Sequence, residues 1–167
     1  MHRLAADYRA LRALYSGHPH VRVEPLGAEP PSRYRLTFRV PGLRLDKGTP
    51  VLTDNHVVEI QLPLEYPRGQ PYCAALTPIF HPNVTSRYCI GDYWAAGQGL
   101  ADVVAKIGAM IQYRLYNVAS PLDPRAAEWA RLNPHRLPVG EVDLGVPELD
   151  IDLGADAGAG LVMFRRG

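Results

Sequence analysis

Along residues 3 to 15 the apolar positions Leu4, Tyr8, Leu11 and Leu14 recur every three or four residues, with Arg3, Arg9 and Arg12 between them. That spacing gathers one apolar stripe on a helix, and "SGHPH" ends it. From Tyr34 the period changes to two: Tyr34, Leu36, Phe38 and Val40 alternate with Arg35, Thr37 and Arg39, which predicts a half-buried strand. "VRVEPL", "HVVEIQL" at 56 to 62 and "YCAAL" at 72 to 76 are further strand candidates, the last two separated by the turn-rich "PLEYPRGQP". Together they predict an antiparallel meander of four strands. Its open face is covered by a helix over 100 to 113, where Leu100, Val103, Val104, Ile107, Met110 and Ile111 fall at helical spacing and Asp102 lies in the first turn. Asp123-Pro124 then opens a short helix, an acid at the cap and proline at the first helical position, which runs through Ala130 and stops before Asn133-Pro134.

Helix, meander, long irregular segment, crossing helix and short helix define an α+β domain. Beyond it, residues 135 to 167 carry proline and glycine at short intervals, an acidic and apolar alternation in "EVDLGVPELDIDLG", and an "ADAGAG" stretch that nothing local orders. We read residues 1 to 134 as one domain and 135 to 167 as an extension with room for one added strand. The 167 residues suit a single core.

Composition narrows the function classes. Hydrophobic residues at 47% and charged residues at 21% give a globular profile, and no apolar run approaches the roughly 18 residues of a membrane span, so a cytoplasmic protein without a membrane partner is expected. The net charge is +1, and no basic patch interleaves with aromatics, so no nucleic-acid partner is expected. No glycine-rich phosphate loop follows a strand. Charge is nonetheless uneven: residues 1 to 40 hold Arg3, Arg9, Arg12, Arg22, Arg33, Arg35 and Arg39 against Asp7, Glu24 and Glu29. Lys47 and Lys106 are the only lysines among the 18 basic residues. Two cysteines build neither a disulfide framework nor a zinc site, and no cofactor or metal is implied.

The two cysteines differ in setting. Cys73 lies in a strand candidate on the face opposite Tyr72, Ala74 and Leu76, where a structural thiol is expected. Cys89 lies in "HPNVTSRYCIGDYW", outside any periodic segment, in a loop of a length that compact domains reserve for function. A thiol hydrolase would pair Cys89 with His81 as base. His81, however, precedes Pro82 in a stiff tripeptide and also reads as a structural histidine. From residues alone, Cys89 stays open between packing and nucleophile.

"HPN" followed by Cys89, then Trp94, then an amphipathic helix, then "PLDPRAAEWA", resembles the core of the ubiquitin-conjugating enzymes. "LPLEYPRGQP" resembles that family's pattern of Pro, Tyr-Pro and Pro between two strands, and the likeness runs over residues 1 to 134. It implies that family's fold. It further implies that Cys89 takes a ubiquitin-like modifier from an activating enzyme as a thioester and passes it to an amine on a target protein. By the same resemblance Asn83 is the oxyanion donor, Asp123 the acid on the amine side, His81 and Pro82 are structural, and Trp94 and Tyr88 wall the groove. Asn83 also fits a bracing role toward the backbone of "VTSRY", and Asp123 a helix cap. Thiol exchange needs no strong base, since the leaving thiolate is about as stable as the attacking one.

The chain departs from the family in places. Asn83 and Cys89 are joined without a glycine, and "QYRLYNVAS" before Asp123 is long. Where family members docking RING-type ligases carry an aromatic and Ser-Pro, Arg68 and Ala95-Ala96 stand here, so such a ligase is not expected as a partner. This trimming and the arginine- and alanine-rich composition resemble the bacterial relatives, which typically work beside their own activating enzyme and ubiquitin-like partner, often in antiphage defence operons. The alternative is an inactive binding or scaffold module on the same fold, against which the retained Cys89 argues.

Overall fold

A computed structural model of the protein describes residues 2–91 and 94–144. Helix α1 (His2–Tyr15) precedes strands β1 (Val21–Leu26), β2 (Arg33–Phe38), β3 (Gly42–Asp46), β4 (Thr49–Thr53), β5 (His56–Gln61) and β6 (Tyr72–Ala75). Helices α2 (Leu100–Ile111) and α3 (Pro124–Leu132) follow, then one 3-10 turn at Pro134–Arg136. The fold is the expected α+β arrangement, with the main sheet an antiparallel four-stranded meander in the order β1-β2-β5-β6. Among the described residues no helix is long and apolar enough to cross a membrane.

The alternation in β2 becomes the floor of the core. Tyr34, Leu36 and Phe38 are buried while Arg33 and Arg35 reach solvent, and α2 lays Val103, Val104, Ile107, Met110 and Ile111 across that face. Each such aliphatic side chain, fully buried, stabilises the fold by roughly 1.5–3 kcal/mol.

The buried stripe of α1 differs from the periodicity. Leu11 is buried and Leu4 and Tyr8 pack against the core as the spacing predicts, but Leu14 stays exposed, and Asp7 and Tyr15 turn inward. Asp7 is tolerated there because three donors reach its carboxylate: Arg3 Nε at 2.8 Å, the Tyr66 hydroxyl at 2.6 Å, and the Leu100 N–H at 3.2 Å. A carboxylate at the first turn of α2 is also where the helix dipole favours it. Asp7 thereby ties α1 to the Tyr66-Pro67 loop and to α2.

The hydrophobic pattern missed the hairpin β3–β4 between β2 and β5. Its turn places Lys47 at φ 49° and Gly48 at φ 82°, the left-handed pair that a tight hairpin turn requires. Pro50 in β4 is admissible because a two-stranded ribbon has only edge strands.

A second cluster of Leu43, Phe80, Tyr113, Tyr116, Ala126, Ala130 and Leu137 joins this hairpin to α3. Phe80 belongs to it, whereas Val84 and Tyr88 belong to the main core, so residues 81 to 83 lie at the seam between the two.

After α3 the chain returns over α2. The Gln112 side chain donates to the Val142 carbonyl at 3.0 Å and accepts from its N–H at 3.1 Å, and Tyr15 donates to the Leu144 carbonyl at 3.1 Å. Leu144 lies over Gly108, where an added Cβ would come within 2.0 Å of its Cδ1. The expected extension therefore begins as a strap docked on α2. Its acidic alternation beyond Leu144, with the strand it has room for, lies outside the described residues.

Candidate functional site

The His81-Pro82-Asn83 turn is held from inside. The Asn83 N–H donates to His81 Nδ1 at 3.0 Å, which leaves Nε2 as the protonated nitrogen, and Nε2 donates to the Leu115 carbonyl at 3.2 Å. The ring is fully buried, 4.7 Å from the Tyr113 ring between centroids. Burial pushes its pKa down to about 3, since the charged form would be stripped of water. Both nitrogens being committed, His81 is no base for Cys89, and the hydrolase pairing loses its second member.

From this turn three connections radiate. Asn83 Nδ2 donates to the Asn117 carbonyl at 2.9 Å and makes a long contact of 3.5 Å with the Ser120 carbonyl, while Oδ1 accepts from the Asn117 N–H at 2.7 Å. The bracing expected toward "VTSRY" is thus directed across the site, onto the long segment between α2 and α3. The Pro82 carbonyl accepts from Leu122 N at 2.8 Å and Asp123 N at 3.0 Å. The Asn83 carbonyl accepts from Cys89 N at 3.0 Å, so a connection without glycine still closes into a tight loop.

The structure therefore brings Cys89, Asn83, Pro82, His81 and Asp123 into one hydrogen-bonded assembly. Asp123 caps α3: Oδ1 accepts from Arg125 N at 3.0 Å and Ala126 N at 3.3 Å. Its Oδ2 keeps only a 3.5 Å contact with the Arg125 guanidinium.

Cys89 is half-exposed and Cys73 buried, and neither is in a disulfide. The loop gains its shape beside β6, where Ala74 bridges Arg87 and Tyr88 N donates to the Cys73 carbonyl at 2.9 Å. From there the chain alternates: Tyr88 in, Cys89 out, Ile90 in. "YCI" is a period-two signal after all, too short to stand out in the sequence. Tyr88 is core rather than groove wall.

Trp94 donates to the Pro67 carbonyl at 2.6 Å and stands 6.0 Å from the Tyr66 ring, on one side of a small cleft that also contains Ile90, Gln98, Asp102, Val103 and Lys106. Lys106, unremarked in the sequence as a site residue, reaches from α2 to donate to the Ile90 carbonyl next to Cys89. A polar position on an amphipathic helix normally faces water. Its one visible sign was being one of two lysines in an arginine-rich chain.

With this geometry in place, known proteins can be compared. The fold is that of the ubiquitin-conjugating enzymes: the E2 domain of a Toxoplasma gondii ubiquitin conjugating enzyme superposes with a TM-score of 0.57 at 23% identity, over 83% of this chain and 90% of that one. Curated relatives carry the same description. Ubiquitin-conjugating enzyme E2-22 kDa of Drosophila melanogaster is 34% identical over 85 residues, 47% of this chain and 40% of that protein. Human ubiquitin-conjugating enzyme E2 K is 33% identical over 85 residues, with the same coverage. The chain thus spans less than half the length of the curated relatives it matches. No protein-family model matches it.

Proposed function

We propose that this chain is a conjugating enzyme that receives a ubiquitin-like modifier from an activating enzyme as a thioester on Cys89 and transfers it to an amine of a target protein. The observation that carries the proposal is the assembly around the turn: one loop presents a half-exposed cysteine, and the same three residues hold both its backbone and the segment leading to Asp123.

In the first step the Cys89 thiolate attacks the modifier's thioester carbonyl, and the activating enzyme's thiolate leaves with the electron pair of the broken C–S bond. In the second, the target amine attacks, the C–S bond to Cys89 breaks, and the amine's proton passes to solvent or to a nearby carboxylate. Asn117 holds both ends of the planar Asn83 amide, and the second amide hydrogen, engaged only by the long Ser120 contact, is the donor left for the oxyanion. A donor so placed is worth about a hundredfold in rate. Asp123 Oδ2 is the carboxylate oxygen left by the cap to meet the amine. His81 and Pro82 hold the frame. The arginine- and alanine-rich composition supports a bacterial setting, with antiphage defence as its context.

The test replaces Cys89 by serine, which converts a labile thioester into a longer-lived ester, and adds source-cell lysate with and without ATP. An ATP-dependent added mass that hydroxide removes supports the proposal. No adduct, with the wild-type chain also uncharged under non-reducing conditions, replaces it with an inactive binding module.

A further inference from the structure

Two side chains from different elements hold the backbone that follows Cys89. Lys106 donates to the Ile90 carbonyl, and Gln70, from the β5–β6 loop, donates to the Gly91 carbonyl at 2.9 Å. Gly91 has φ +113°, a conformation other residues rarely adopt, and a Cβ there would lie 3.1 Å from Lys106 Nζ. The turn after the cysteine is therefore shaped around an ammonium group.

That ammonium is an expensive group to enclose, because a neutral carbonyl does not compensate a full charge. Among the described residues no carboxylate lies within ion-pairing distance of it. Asp102, one turn earlier on α2 and in the same cleft, has Oδ2 engaged by the Gly99 N–H at 2.8 Å. Burial pushes the pKa of Lys106 down, and the charge it feels in the opposite direction is that of Cys89. Arginine is the chain's habitual cation, but its planar fork carries five donors to satisfy, whereas lysine brings a compact charge to a single carbonyl.

We propose that Lys106 is a positioning residue of the Cys89 site: its ammonium clamps the carbonyl following the cysteine and keeps a positive potential at the sulfur. During transfer the tetrahedral oxyanion and then the departing Cys89 thiolate develop negative charge in that potential. This last consequence rests on the thioester reading, whereas the potential itself does not.

Alkylation of the purified 167-residue chain separates the two. Neutral iodoacetamide and anionic iodoacetate attack the same thiolate, so the ratio of their rates at Cys89, read by peptide mass, cancels accessibility and thiolate fraction and reports local potential. Lys106→Met and Lys106→Gln should each lower the iodoacetate to iodoacetamide ratio about fivefold, and Asp102→Asn should raise it. The drop in the ratio on replacing Lys106 should shrink as salt is added. An unchanged ratio in either Lys106 variant with a native melting curve, or a difference between variant and wild type that added salt leaves untouched, overturns the proposal. None of these readings depends on whether Cys89 is ever charged with a modifier, so failure of the thioester reading would show separately, as absence of an adduct.

Discussion

Cys73 and Tyr88, the residue before Cys89, meet across one hydrogen-bonded rung, the Cys73 carbonyl accepting from the Tyr88 N–H, and yet the two cysteines occupy opposite environments. Cys73 is 1% exposed in the sheet, and burial pushes its thiol up to about 12, which leaves it protonated and inert. Cys89 lies one residue along an extended loop whose alternation turns it outward, with Lys106 behind it and the His81-Pro82-Asn83 turn beside it. Residue type does not decide how far a thiol is exposed. A regular ladder delivers the loop to the right place, and departure from the ladder then exposes the sulfur.

Substitutions can break this contrast. Cys89→Ala should abolish modifier charging and leave the fold intact, while Cys73→Ala should preserve charging and cost about 1–2 kcal/mol in denaturant unfolding. Charging that survives Cys89→Ala would end the distinction.

Next in size, Asn83→Ala should slow discharge to a free amine about a hundredfold. It should also cost about 1–2 kcal/mol of stability, because the Asn117 carbonyl and N–H lose their partner. Single-turnover assays that give wild-type rates for both charging and discharge would remove Asn83 from the oxyanion role.

His81 sharpens the comparison from the structural side. Its folded pKa of about 3 lies below the unfolded 6.5, so the unfolded state binds the extra proton between those values. Its contribution is full above pH 6.5 and is lost as pH falls toward 3, at up to about 1.4 kcal/mol per pH unit. His56, also buried with its pKa lowered by desolvation, adds in the same direction. Denaturant midpoints measured from pH 7 to pH 4 should fall, and His81→Phe should flatten the slope while lowering stability at pH 7.

Smallest of all, Asp123→Ala should cost about 1 kcal/mol through the lost cap. A larger loss in discharge to lysine than in charging would assign it the amine-side role. Equal slowing of both steps, tracking the drop in melting temperature, would make it a cap alone.

Much of the frame was legible because it rests on local periodicity: the alternation of β2, the apolar face of α2 and the Asp123-Pro124 start of α3 all fold as their patterns state. The β3–β4 hairpin was missed although "DKGT" carries its turn chemistry, because Pro50 and the threonines of β4 dilute the alternation. The inward turn of Asp7 and Tyr15 depends on partners far along the chain, Tyr66 and Leu100 for one and Leu144 for the other. For the same reason Lys106 was invisible: its partner is a backbone carbonyl, which has no side-chain signature. The residues of the turn were recognisable through resemblance, and the cross-loop use of Asn83 became visible only in three dimensions.

The most direct test charges the wild-type chain in an ATP-supplied extract, quenches it without reductant, and maps the adduct by peptide mass. The account predicts a modifier on the peptide carrying Cys89, released by added thiol, with Cys73 unmodified. An adduct on Cys73 or on a lysine, or a Cys89 that stays free under conditions where other proteins in the extract become charged, would contradict it.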